Sequence, residues 1–220
     1  MCGKGITPVI RSCVLGGCGF DSGAQQAETL NRLTDGLSCG EVFVTCGHNE
    51  PVPEYSPGMV AEGQFTRDCV ANIDTRGGRV KVTTPTFNAT YGLGTGDGGK
   101  DRNGDGVETV IDHAQDFLQG YGVGQFNADK ETKLSCLAFN TYDNVGGENA
   151  EFYYERIQEI PEFADMETCI METGNLESNE TGDMIDLVSR LSSMPGFGFL
   201  LGFNWMNTNP GWAQFAIEDK

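Results

Sequence analysis

Basic residues are scarce in this chain of 220 residues: 14 Lys and Arg stand against 32 Asp and Glu, a formal net charge of −18. Phosphate contacts need clustered Lys and Arg, so this balance excludes a nucleic-acid binder and equally disfavours an anionic membrane surface. Long apolar runs are missing too. The nearest approach, Met194 to Met206, is broken by glycines and falls short of the ~20 residues that cross a bilayer, so no membrane span is expected. Histidine occurs only as His48 and His113, and neither lies in a nucleophile–base motif. H-E-x-x-H and the P-loop are absent, which removes zincin and P-loop NTPase chemistry. The opening M-C-G-K-G carries no signal-peptide pattern. That leaves a leader already removed, or export without one, as for a virion component released by lysis.

Cysteine and glycine, by contrast, are abundant. Eight cysteines (2, 13, 18, 39, 46, 69, 136 and 169) make an even set, six of them within the first 69 residues. Disulfides are the first expectation; free buried thiols and a zinc site built on Cys39, Cys46, His48 and Cys69 compete with it. Connectivity stays open, because eight cysteines allow about a hundred pairings. The 31 glycines punctuate apolar runs without any fixed period and predict many tight turns in an irregular fold.

Capping and periodicity predict a first helix from Ser22 to Gly36, with Ala24, Ala27, Leu30 and Leu33 as its apolar stripe. Strands are expected at Glu41–Cys46, Met59–Ile73, Arg79–Tyr91 and Leu134–Tyr142. The proline-rich stretch from His48 to Pro57 reads as loop. Helices are expected at Glu148–Ile160, Glu162–Thr173 and Asp183–Met194, each closed by Pro or Gly. The expected fold class is therefore α+β, one irregular domain over 1–220. Its strand-rich, disulfide-stapled front half (1–145) is followed by a helical back half (146–220) with an aromatic tail.

One stretch has legible metal chemistry. Asp101 to Asp112 reads D-R-N-G-D-G-V-E-T-V-I-D. Oxygen side chains fall at loop positions one, three, five, nine and twelve, as Asp101, Asn103, Asp105, Thr109 and Asp112. Gly106 stands at the sharp turn, and Val107 offers its carbonyl. The run resembles the calcium loops of EF-hand and dockerin proteins over these twelve residues. The resemblance implies a bound divalent cation, calcium first and magnesium second, because Asp112 is shorter than the usual bidentate glutamate. Upstream, the strand-like Val80–Tyr91 and the glycines from Gly92 to Gly99 replace the entering helix of an EF-hand. A lone structural cation site is therefore expected rather than a paired sensor.

Catalytic candidates are few. Cys46 and His48 are too close in sequence for a cysteine nucleophile and its base. A glycosidase needs only two carboxylates at the correct separation, but 32 acidic residues do not single out a pair. Phe197, Phe199, Leu200, Leu201, Phe203, Trp205 and Trp212 crowd a tail too rich in glycine for an ordinary helix. Pro195–Trp212 is therefore expected to be the interface of a homo-oligomer or larger assembly. The functional expectation is a non-enzymatic structural subunit of a durable extracellular or virion assembly, such as a filament, surface layer, or phage capsid or tail. Its alternative is a secreted calcium-dependent carbohydrate-active or adhesive domain. Asn88 and Asn179 head glycosylation sequons, relevant only in a glycosylating source.

Overall fold

The computed structural model describes residues 7–12, 19–51, 58–88, 110–143, 149–175 and 181–200. Strands and helices alternate along them. The first half runs β1 (Val9–Arg11), α1 (Gly23–Asp35), β2 (Val42–Thr45), α2 (Met59–Asn72), β3 (Val80–Thr83), β4 (Phe87–Asn88) and α3 (Val110–Tyr121). The second runs α4 (Val123–Thr132), β5 (Leu134–Asp143), α5 (Ala150–Gln158), β6 (Thr168–Asn175), α6 (Thr181–Ser192) and β7 (Phe197–Leu200). Every pairing is parallel, in the order β1-β2-β3-β5-β6-β7, with β4 also on β5. Each new strand is laid beside the last with no reversal, and the result is a half-barrel.

This arrangement overturns the α+β expectation. No strand-rich front half precedes a helical back half; helices and strands interleave from β1 to β7. Two segments carry the correction. Met59–Ile73, expected as a strand, forms α2, whose buried face is Met59, Glu62, Gly63, Thr66, Cys69 and Val70. The spacing is helical, but Glu62 and Thr66 interrupt its apolar stripe. Glu162–Thr173, expected as a helix, instead holds a turn and then β6. Met and Glu favour helices, but Cys169, Ile170 and Met171 are all buried, the continuous apolar run of a strand covered on both faces.

Elsewhere the local signals hold in part: Ala27 and Leu30 of the expected α1 stripe are buried, but Leu33 is exposed, and Gln26 and Thr34 take the buried face beside them. Ser22 caps α1, its Oγ accepting the Gln25 N–H at 3.3 Å. Strands at β2, β3 and β5 and helices at α5 and α6 lie where pattern and breakers place them.

The two faces of the sheet differ. Val42, Val44, Val80, Val82, Leu137, Phe139 and Ile170 turn outward into one core with Ala27 and Leu30 of α1, Val70 of α2, Phe117 of α3, Ile157 of α5 and Leu187 of α6. The concave face carries a second, smaller cluster of Cys136, Ala138, Cys169 and Met171, with Val9, Phe43 and Phe199 against it and no helix residue. Phe43 of β2 and Phe199 of β7 meet edge to face across this hollow at 4.9 Å between ring centres, a measure of how strongly the sheet curls. On the convex side, glycine lets backbones touch. A Cβ on Gly63 of α2 would strike the Phe117 carbonyl oxygen, and one on Gly120 of α3 the Val60 carbonyl oxygen.

Cys46–Cys69 and Cys136–Cys169 are paired, with Cα atoms 5.7 and 5.9 Å apart, and Cys39 is disulfide-bonded as well. The first bridge ties the end of β2 to α2; the second ties β5 to β6 on the concave face. These pairs indicate an oxidising environment. They also withdraw Cys39, Cys46 and Cys69 from the zinc reading and Cys46 from any nucleophilic role. No described helix is long and apolar enough to cross a membrane. Of the expected interface, Pro195–Leu200 is described: Phe197 and Leu200 pack on the chain's own main core, and residues 201–212 lie outside the described residues.

Candidate active site at the carboxyl rim

Parallel strands that wind like a barrel point all their carboxyl ends the same way, and that rim is where barrel enzymes gather their chemistry. In this chain the rim collects polar side chains from every part of the sheet. Arg11 ends β1, Asn49 and Glu50 follow β2, Asn88 ends β4, Asn140 and Tyr142 lie near the end of β5, and Glu172 lies on β6.

Glu50 is held from its backbone outward. Beyond β2 the chain continues alongside the link between β3 and β4 through a parallel bridge of Asn49 with Thr86. The Glu50 N–H donates to the Thr86 carbonyl at 2.8 Å, and the Thr86 N–H donates to the His48 carbonyl at 3.3 Å. Glu50 itself sits at φ 49°, a left-handed conformation that side chains other than glycine rarely adopt. Such strain persists only where the surroundings over-determine it, and it clusters at functional sites. The side chain then receives two amides on one oxygen. Asn140 Nδ2 donates to Oε1 at 2.6 Å and Asn88 Nδ2 to the same atom at 3.0 Å. Burial pushes the Glu50 carboxyl above its usual value of 4.5; Glu172's charge adds to this, while Asn140's hydrogen bond and Arg11's charge oppose it.

Glu172 has a different environment. The β5–β6 register slips between Phe139 and Asn140, so that Phe139 pairs with Ile170 but Asn140 pairs with Glu172. This irregularity leaves Met171 and Glu172 both on the concave side: Met171 joins the small inner cluster, and Glu172 reaches the rim. Strand irregularities of this kind re-aim side chains next to active sites. Arg11 Nη2 donates to Glu172 Oε1 at 2.8 Å, and the Tyr142 hydroxyl donates to Oε2 at 3.0 Å. Arg11 also donates to Asn49 Oδ1 and, at 3.5 Å, to the Met171 carbonyl, which fixes its guanidinium. Burial, with the charges of Glu172 and Glu50, drives the Tyr142 hydroxyl far above its ordinary value, so it serves as a donor at every working pH.

Two carboxyls thus face one rim in opposite states of provision. One is desolvated and bound through a single oxygen; the other is gripped on both oxygens by a cation and a phenol. Asn140 Oδ1 and Thr86 Oγ1 beside them are buried without a hydrogen-bond partner, capacity that the fold itself does not use. Asn88 is also buried and bonded to Glu50, so it is not a glycan acceptor; Asn179 lies outside the described residues.

Of the expected cation ligands, Asp101, Asn103, Asp105, Val107 and Thr109 lie outside the described residues, and Asp112 is buried in the first turn of α3. Among the described residues no group of three His, Cys, Asp or Glu is placed to hold a metal. A cavity of about 700 Å³ opens at the other end of the sheet, lined at its mouth by Thr7, Glu41, Lys81, Ser135 and Glu167. Neither Glu50 nor Glu172 lines it. No protein-family model matches the chain, and no curated protein or solved structure matches it either.

Proposed function

We propose that the chain is a carbohydrate-active hydrolase that cleaves glycosidic bonds with Glu50 as general acid and Glu172 as its anionic partner. The observation that carries this reading is the unequal pair of glutamates on the rim. Glycoside hydrolysis requires one carboxyl that stays protonated to release the leaving group and a second that stays ionised across the sugar. Both amides on Glu50 converge on Oε1, so Oε2 is left to carry the proton toward the glycosidic oxygen. Arg11 and Tyr142 meet Glu172 with donors only, provision suited to a carboxylate.

Asn140 touches Glu50 and is the cross-strand partner of Glu172, which makes the two carboxyls neighbours on the rim. Carboxyls ~5–5.5 Å apart act with retention and those ~6.5–9.5 Å apart with inversion through a water; the retaining course is the one we propose. In the first step Glu172 forms an ester bond to the anomeric carbon, the bond to the leaving oxygen breaks, and that oxygen takes the proton of Glu50. In the second, Glu50 removes a proton from water, the water oxygen replaces Glu172 on the anomeric carbon, and both glutamates return to their starting states.

The test is hydrolysis of a panel of neutral oligosaccharides, with the anomeric configuration of the first product read by proton NMR. Retention is expected in the wild type, with activity lost in both Glu50→Gln and Glu172→Gln. Cleavage that survives Glu172→Gln sinks the assignment, and inversion turns Glu172 into the base that activates water.

The cation loop is retained as a proposal within this reading. Its residues up to 109 fall in the sequence between β4 and α3 and lie outside the described residues. An extracellular site of action fits the disulfides. The assembly-subunit reading has a narrower footing, because Phe197–Leu200, within the described part of its interface, form β7.

A further inference from the structure

Directly behind the rim stands a buried charge that the hydrolytic steps do not use. Glu62 belongs to α2, and its side chain is fully buried. Its Oε2 lies 2.6 Å from His48 Nδ1, its Oε1 accepts the backbone N–H of the same histidine at 2.8 Å, and Thr66 Oγ1 donates to Oε1 at 3.3 Å. The His48 ring rests against Phe65 with centres 4.8 Å apart. Room for the carboxylate comes from Gly47, at φ 99°: a Cβ there would stand 2.6 Å from both Glu62 Oε1 and Thr66 Oγ1. Burying a carboxylate is costly unless it is paired and hydrogen-bonded. Glu62 meets both conditions, and two of its three hydrogen bonds fall on His48, two places before Glu50.

We infer that His48 and Glu62 are a positioning pair for Glu50, locking the backbone from Gly47 to Glu50 in the path that delivers its carboxyl to Asn88 and Asn140. This rests on the glycosidase reading for what Glu50 does, but not for where Glu50 is held. His48 is bound by ring and by backbone to one carboxylate, so it cannot turn without breaking two hydrogen bonds. Its carbonyl accepts from Thr86, and Thr86 in turn accepts from Glu50. One residue upstream, Gln26 of α1 clasps Gly47 at both its N–H (2.8 Å) and its carbonyl (2.9 Å). The segment is therefore fixed by α1, by α2 and by the β3–β4 link at once. Glu62 is the charge that acts on the imidazole, and Phe65 packs on the ring; Gln26 of α1 and Thr86 of the link bond the backbone around it, and Thr66 bonds Glu62.

The test follows the Glu50 carboxyl by carbon-13 NMR in the full chain labelled at glutamate Cδ, with the resonance assigned by its loss in Glu50→Gln. In the wild type it titrates above free glutamate. Glu62→Gln and His48→Leu, checked for native circular dichroism, are expected to move the titration back toward the ordinary glutamate value. His48→Asn keeps a side-chain N–H toward Glu62 and should keep the wild-type titration. On a cleaved oligosaccharide, Glu62→Gln should lower kcat up to ~100-fold with KM little changed, the cost of a misplaced group. An unmoved Glu50 titration in folded Glu62→Gln and His48→Leu overturns the inference. So does failure of both variants to fold, which makes the pair a requirement of the fold rather than of the rim. A wild type that cleaves no oligosaccharide while the titrations behave as expected would remove the glycosidase reading and leave the positioning pair intact. Hydrolysis lost in Glu50→Gln with kcat and titration unchanged in Glu62→Gln would do the reverse.

Discussion

At the amino ends of the strands the concave face opens into a cavity of about 700 Å³ ringed by Thr7, Glu41, Lys81, Ser135 and Glu167. At the carboxyl ends the same face closes into a network of Arg11, Asn49, Glu50, Asn88, Asn140, Tyr142 and Glu172. The mouth has room for a ligand. By chemistry it offers little: Glu41 and Glu167 are exposed, and none of its charged groups makes an ion pair among the described residues. At the rim, each carboxylate has a defined set of donors, one backbone is held left-handed, and a slip in strand register aims one of the acids. Space admits a ligand, but positioned and unequally solvated charge is what lowers a barrier.

The sharpest way to break that contrast is to truncate both ends. Glu172→Gln and Glu50→Gln should each reduce hydrolysis by ~10²–10⁴-fold, the range for loss of a positioned acid or base. Lys81→Ala and Glu167→Ala at the mouth should leave kcat within about twofold, since general acid–base effects need hydrogen-bond reach. Initial rates on one neutral oligosaccharide decide it. Comparable losses at both ends would mean that the functional end has been misassigned.

A smaller effect comes from the bridges beneath the rim. Cys46 lies four residues before Glu50 and Cys169 three before Glu172. Reducing both bridges should cost about 2–4 kcal/mol each, mainly by freeing the unfolded chain. Both sulfur pairs are fully buried, so reduction should need partial denaturation first. Urea melts with and without dithiothreitol, together with thiol titration of the denatured, unreduced protein, check this. Eight reactive thiols would contradict the bridges themselves.

How much of this was legible depends on which residues carry the pattern. Where local chemistry and tertiary role agree, the sequence reads correctly: Ser22 caps α1, the V-F-V-T alternation makes β2, and Pro161 and Pro195 follow α5 and α6. The failures sit at the residues that build the rim and its support. The α2 segment reads as a strand because Glu62, which holds His48, and Thr66, which donates to Glu62, occupy its buried stripe. The β6 segment reads as a helix because Met171 and Glu172 are good helix formers placed in a strand whose irregularity serves the rim. Local rules break at functional positions, and two wrong elements were enough to hide a parallel sheet. The carboxylate pair was hidden with it. Glu50 stands among prolines and Glu172 inside a supposed helix, yet each follows a buried apolar run. That signal, an acid at the end of a β-run, gains meaning only once the strands are known to be parallel.

Smaller again is the expected contribution of calcium. If Asp101–Asp112 binds the ion, saturation at ~100 times Kd should stabilise the chain by ~2.7 kcal/mol, because only the folded loop presents all its ligands. Melting in calcium against melting in chelator measures this, and Asp101→Ala with Asp105→Ala should abolish the difference. The comparison of the two ends is sharpened as well. Asn88, which binds Glu50, is the last described residue before the segment that holds the loop, so a loss of hydrolysis on chelation in step with stability would couple the two. Equal melting in both buffers would end the cation proposal without touching the carboxylate pair.

The smallest expected effect concerns pH and the pair behind the rim. Burial pulls the His48 imidazole down, but Glu62's hydrogen bond and charge outweigh it, so His48 ends above its usual 6.5. A group whose folded pKa is raised binds its proton more tightly in the folded state. Its contribution is therefore complete below pH 6.5 and fades as pH rises through the higher folded value. The difference in Tm between wild type and His48→Asn, whose side chain does not titrate there, should amount to a few degrees near pH 6 and shrink steadily above neutrality. Lys81→Ala at the mouth, measured in parallel, should keep a constant offset over the same range, because it lines the opposite end of the sheet from His48. A wild-type advantage that grows with pH would mean that His48 is neutral in the fold. Glu62 would then hold it by hydrogen bonds alone, and the charge behind the rim would have to be sought elsewhere.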